Sequence, residues 1–297
     1  MFSFYLLACA QIILESFPIS SSGHILLLQK LFKPFFVSSE LFFQNKLVDH
    51  FLHGPTVFVL IVFFIWRFFQ ERARFVFPKN FWRQAIKFIF FIFSADVITA
   101  VFFVGFGLLS VDWFPLWTGF ACSAVALGSL YFVKKRSDVN LGMKEALVLG
   151  VVQGVALLPG ISRFAFVFVA SRWLGFSCKR AFDVTFAVQL PLIAAAFVRS
   201  FLAKVLFKYA IVPDILMQPQ SLLIFICASI VAFFALLFAR WLLCKNRAWI
   251  FSLYLLIPML LSFFDILKML NTINFIFIKR ILVWQYWKCN TIISTCR

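Results

Sequence analysis

Apolar residues run in blocks along this chain, separated by short polar clusters, and the blocks come in two lengths. Residues 51–69, 88–109, 115–133, 183–203, 220–243 and 248–267 form long blocks. About twenty apolar residues are what a helix needs to cross the hydrocarbon of a bilayer, so these predict six spanning helices. Four blocks, 2–14, 25–32, 145–158 and 164–175, are too short to cross alone. They occur in pairs, and each pair flanks a proline-bearing polar turn. The pattern predicts two re-entrant helix pairs. Non-helical backbone at membrane depth is tolerated only where protein encloses it or it lines a cavity, so both turns are expected to face a cavity.

The order of the blocks repeats. A re-entrant pair and three spans fill about residues 1–133, and the same series fills about 145–268. Three crossings separate the pairs, so they enter from opposite faces. This predicts an all-α polytopic membrane protein with an inverted-topology repeat, whose two turns meet near the midplane. Residues 1–270 are expected to be one membrane domain, and 271–297 a C-terminal tail, loose or interfacial. Residues 33–50, 70–87 and 204–219 read as loops.

Composition agrees with the pattern. Of the 297 residues, 64% are hydrophobic and 13% charged, against about 25% charged in soluble domains. The net charge of +17 reflects 28 basic residues and only 11 acidic ones. A nucleic-acid partner is excluded as the reason, because the basic residues gather in short loops between apolar blocks. Sixteen lie at one set of block ends (67, 72, 74, 79, 83, 87, 134, 135, 136, 144, 172, 179, 180, 240, 245, 247) and seven at the other (30, 33, 46, 199, 204, 208, 268). By the positive-inside rule the richer set is cytoplasmic, and the first re-entrant pair then opens outward. The apolar start lacks a basic leader, so no cleavable signal is expected. The seven cysteines contain no Cys-x-x-Cys and read as buried free thiols. The 45 phenylalanines read as compositional bias at lipid-facing positions.

The chemistry concentrates in the two turns. Gln11 to His24 packs a carboxylate, three serines and a histidine beside apolar runs, where unpartnered polar groups are costly. Gln11 and Glu15 share a helix face; either can ligate a divalent cation, and Glu15 can also act as a base or pair with Arg163. Pro18 stops the helix. Ser20, Ser21 and Ser22 then form a turn that restarts one, a place suited to phosphate. They can hold phosphate oxygens, supply a nucleophile, or only form the turn. His24 can be a general acid or base, the nucleophile, or a structural hydrogen-bonding group. The second turn, Pro159 to Arg163, carries Ser162 as cap or phosphate donor and Arg163, which suits bidentate capture of phosphate. Gly23 and Gly160 allow close backbone approach. Asp49, His50, His53 and Thr56 open a long block, and a histidine pair there reads as interfacial. Gln153 and Gln189 read as amides that join helices.

These two stretches resemble the paired signatures of the undecaprenyl-diphosphatase family of the bacitracin-resistance type. Gln11-x-x-x-Glu15 followed by Pro18-x-Ser-Ser-Ser-Gly23-His24 matches the first in full. Pro159-Gly160-x-Ser162-Arg163 matches the start of the second, after which Phe164 and Val167 stand where the family has Ser and Thr. The resemblance implies hydrolysis of undecaprenyl diphosphate to the monophosphate and inorganic phosphate, recycling a cell-wall lipid carrier in the bacterial inner membrane. It implies a polyprenyl diphosphate lipid as substrate, a divalent cation (Mg2+ or Ca2+), and catalytic roles for Glu15, Ser21, His24 and Arg163, with the nucleophile open between Ser21 and His24. Ser20, Ser22, Gly23, Gly160 and Ser162 would bind substrate. A homodimer stays open. The rival reading is a lipid-phosphate flippase of the same layout, for which the Ser-Ser-Ser-Gly-His cluster has no need.

Overall fold

The computed structural model describes residues 2–32, 46–72, 81–109, 114–133, 139–207 and 219–265. The described residues are helices and turns, with no strand. In order they are α1 (Phe2–Leu14), α2 (Ser21–Leu31), α3 (Lys46–Arg72), α4 (Phe81–Leu109) and α5 (Leu116–Ser129), the last continued by a 3-10 turn, Leu130–Phe132. Then follow α6 (Met143–Val155), α7 (Arg163–Leu174), α8 (Cys178–Phe207), α9 (Pro219–Cys244) and α10 (Ala248–Asp265).

Among the described residues five helices are long and apolar enough to cross a membrane: stretches of α3, α4, α8 and α9, and all of α10. The sixth expected span, 115–133, is a 14-residue α-helix plus its 3-10 turn, shorter than a typical crossing. At 1.5 Å per residue, α1, α2, α6 and α7 are each no more than about 20 Å long, as the short blocks predict. The long helices outrun their apolar blocks: α3 begins at Lys46 and α8 at Cys178. Hydropathy marks the length in hydrocarbon, whereas backbone hydrogen bonding carries the helix on into polar residues. The tail 271–297 and much of the loops 33–50, 70–87 and 204–219 lie outside the described residues.

The outer faces are apolar: Val101, Leu108, Leu223 and Phe234 are all exposed. Because lipid is as apolar as these side chains, close packing and interhelical hydrogen bonds hold the bundle together. α3 packs on α8, α1 on α9 and α6 on α4. Tyr5 of α1 hydrogen-bonds Ser221 of α9 at 2.8 Å, and Ser16 donates to the Ala232 carbonyl at 2.9 Å. In the matching place Thr99 of α4 donates to the Gly150 carbonyl of α6 at 3.1 Å. A Cβ on Gly150 would fall 2.5 Å from the Ala95 carbonyl oxygen, so that approach needs glycine. Toward one end of the bundle Arg67 donates to Asp183 at 2.9 Å, and Arg240 lies 3.4 Å from the other carboxylate oxygen. Arg240 also covers the rings of Phe63 and Phe182. Cys178 and Cys244 are joined as a disulfide between the start of α8 and the end of α9, their Cα atoms 5.4 Å apart. This corrects the expectation of buried free thiols; Cys9, Cys122 and Cys227 are free, but Cys9 is half-buried and Cys122 and Cys227 are exposed.

Candidate functional site at the meeting of two turns

α1 ends in a tightening coil. Glu15 N–H still bonds the Gln11 carbonyl, but Ser16 and Phe17 reach back only three residues, to Ile13 and Leu14. Pro18 follows, and Ser20 takes a left-handed backbone (φ 65°, ψ 83°) immediately before α2. That conformation is costly for a residue with a Cβ, and His24 braces it. The His24 backbone N–H and Nδ1 both face the Ser20 carbonyl, at 3.1 and 2.8 Å. A carbonyl only accepts, so Nδ1 carries the proton and Nε2 is left to accept from the Tyr254 hydroxyl, 3.1 Å away. The imidazole stacks on the Tyr254 ring and meets Phe120 edge-on.

The second turn tapers in the same way, with Leu157 and Leu158 bonding back to Gly154 and Val155. Gly160 takes φ 80°. Ser162 caps α7, its hydroxyl accepting from the Ala165 N–H at 3.2 Å. Its own N–H donates to Ser123 of α5 at 2.9 Å. The two turns touch through glycine: a Cβ on Gly23 would lie 3.1 Å from the Gly160 Cα. One on Gly119 would lie 2.2 Å from the Pro159 oxygen.

One pocket is lined by both turns. Glu15, Ser20, Ser21 and Ser22 come from the first, and Ser162 and Arg163 from the second. Thr56 of α3 and Gln189 of α8 complete its polar wall. α2 and α7 both begin there, so two helix N-termini carry their partial positive charge to the same space. His24 does not line it; its ring stands behind the turn. Gly23 and Gly160 form the seam between the turns.

Glu15 is held by α3. Thr56 Oγ1 donates to its Oε2, and His53 Nδ1 lies 2.5 Å from Oε1. Among the described residues its ion-pair partner is therefore His53 and not Arg163. Gln11 donates to Asp49 at 2.5 Å. His53 is not interfacial: it is buried, 5% exposed. The signal was available in the sequence, because Asp49, His53 and Thr56 are spaced four and three apart and so share one helix face.

Gln153 joins helices as expected, donating to Asp96 of α4 at 3.4 Å. Gln189 does not: its Nε2 is buried without a hydrogen-bond partner. Phe164 packs on Phe182 and Phe186, ring centroids 5.5 and 4.6 Å apart. Val167 is fully buried with Phe91 and Ala146. Among the described residues no three His, Cys, Asp or Glu side chains gather as a metal site. The Gln11 Oε1 atom is buried and unpartnered, an oxygen donor of the kind a hard divalent cation takes.

The family model described as bacitracin resistance protein BacA matches residues 4–261. An undecaprenyl-diphosphatase of Halothermothrix orenii is 32% identical over 215 residues, 66% of this chain and 73% of the relative. Those of Borrelia hermsii and Treponema denticola are 28% identical over 279 residues and 26% over 268. They cover 87% and 86% of this chain, and 96% and 94% of themselves.

Proposed function

This chain belongs to the BacA bacitracin-resistance family, and from that premise we infer that it is a membrane-embedded undecaprenyl-diphosphatase, releasing inorganic phosphate and leaving the lipid monophosphate. One observation carries the reading: the serines Ser20 to Ser22, Ser162 and Arg163, at the starts of two helices, line one pocket. That is an anion site, and its cationic group comes from a different turn than its acid.

Hydrolysis adds water across the bridging P–O–P bond. One bridging bond breaks, the terminal phosphorus gains an oxygen, and a proton is lost from the attacking hydroxyl. Arg163 and the free N–H groups at the starts of α2 and α7 hold the phosphate oxygens and stabilise the charge that spreads over them. Ser21, in the first turn of α2, either orients the attacking water or attacks first, in which case water then breaks the Oγ–P bond, returning the serine hydroxyl and releasing inorganic phosphate. Glu15 takes the proton, with Thr56 and His53 fixing its two oxygens. His24 contributes by holding Ser20 in its left-handed conformation, so that Ser20 to Ser22 keep their aim. Gln11 and Glu15 are the residues that would hold a divalent cation, Mg2+ or Ca2+. Bound there, such an ion would supply positive charge to offset that of the phosphates.

The finer architecture is part of this proposal. The reciprocal packing of α1 on α9 and α6 on α4 around α3 and α8 supports an inverted-topology repeat. The lengths of α1, α2, α6 and α7 support two re-entrant pairs. The distribution of Lys and Arg supports a bacterial inner-membrane setting with the site opening to the outer face. The decisive assay measures phosphate release from undecaprenyl diphosphate by purified protein, with and without chelator. Arg163→Ala should lower kcat/KM about 100- to 1,000-fold, and Arg163→Lys should recover part of it. Full activity in Arg163→Ala would sink the assignment; activity unaffected by chelator would remove the cation.

A further inference from the structure

Gln189 sits on α8 two residues before Pro191, the proline inside that helix. It is 5% exposed and lines the pocket beside Arg163 and Phe164. Its Nε2 is buried and meets no acceptor. An amide donor left unpaired in a bundle interior carries a desolvation penalty that a merely structural residue has no reason to retain. Phe186 and Ile193, three and four residues away on the same face of α8, line the same pocket and have no side-chain acceptor. The one class of acceptor that the pocket is built to admit is the anionic oxygen of a phosphate.

The neighbouring position gives the donor a purpose. Phe164 follows Arg163 where the resembling family carries serine; it lines the pocket, and its ring packs on the Phe182 and Phe186 rings. Position 164 therefore supplies no hydroxyl to the pocket. We propose that the Gln189 side-chain amide is a substrate-binding residue, donating to a phosphate oxygen of the lipid diphosphate in place of the hydroxyl absent at Phe164. This rests on the diphosphatase reading of the same pocket.

The test separates binding from packing. Gln189→Leu removes the donor at similar volume and is compared with Gln189→Asn and wild type. Thermal unfolding is measured in detergent without substrate, and KM and kcat in phosphate release. A substrate donor predicts unchanged or raised Tm in Gln189→Leu with KM raised about 10- to 100-fold, and partial recovery of KM in Gln189→Asn. A helix-joining amide predicts lowered Tm with unchanged KM, and that result overturns the proposal. Unchanged KM together with unchanged Tm overturns it as well. If wild-type protein releases no phosphate, the diphosphatase reading itself has failed. In that case binding of inorganic phosphate to wild type and Gln189→Leu still decides whether Gln189 is an anion donor: equal affinity counts against it, weaker binding in the variant for it.

Discussion

At the residue scale, the least expected arrangement is that of His24. Its position in a Ser-Ser-Ser-Gly-His cluster suggests an acid, a base or a nucleophile. In the fold both ring nitrogens are committed, one to the Ser20 carbonyl and one to Tyr254. A left-handed serine in front of a helix needs such a brace, because nothing in its own side chain caps the helix. The Tyr254 hydroxyl is therefore part of the turn, though 230 residues separate it from His24. Tyr254→Phe should lower stability by about 1 kcal/mol and slow turnover a few-fold. Combined with His24→Ala it should add little more, because both act through one hydrogen-bonded chain. Thermal unfolding and turnover of the two single variants and the double variant check this. Glu15 and Arg163 were legible from residue type alone, since an acid and an arginine in apolar surroundings need a use. Tyr254 was not, because a lone tyrosine in an apolar helix has no local pattern to mark it.

At the element scale, the short–turn–short pattern was legible because two prolines and the short apolar lengths leave few alternatives. The conformations of the turns were less so. Glycine at 160 permits φ 80°, but serine at 20 gives no hint of it. Close packing sharpens the demand on Gly160: an added Cβ would sit 2.5 Å from the Leu116 carbonyl oxygen, which is backbone and cannot step aside. Gly160→Ala combines backbone strain with overpacking and should cost about 3 kcal/mol or more. Loss of folded protein in detergent, measured by thermal melting and size exclusion, is the expected result. Among the described residues the block 115–133 is the one expected span that falls short in length, because its regular helix stops at Ser129.

At the scale of the whole molecule, composition and the long apolar blocks marked a multi-pass membrane protein, and five described helices are long and apolar enough to cross. What the pattern could not supply was the polar joinery between distant helices. Arg67 and Arg240 count in the sequence as basic residues at one set of helix ends. In the fold they share Asp183, which ties α3 and α9 to α8. Asp183→Asn leaves two guanidinium groups close together with a weaker acceptor and should cost about 2 kcal/mol. It lies apart from the pocket lining, so phosphate release per folded molecule should persist while the melting temperature falls.

The glycine seam between the turns has a mechanical meaning. With no side chain between Gly23 and Gly160, the two turns meet backbone to backbone. A carrier with its path between them must part that contact on every cycle and close it behind its cargo. A hydrolase can leave it shut, admitting the head group and releasing both products through the same doorway.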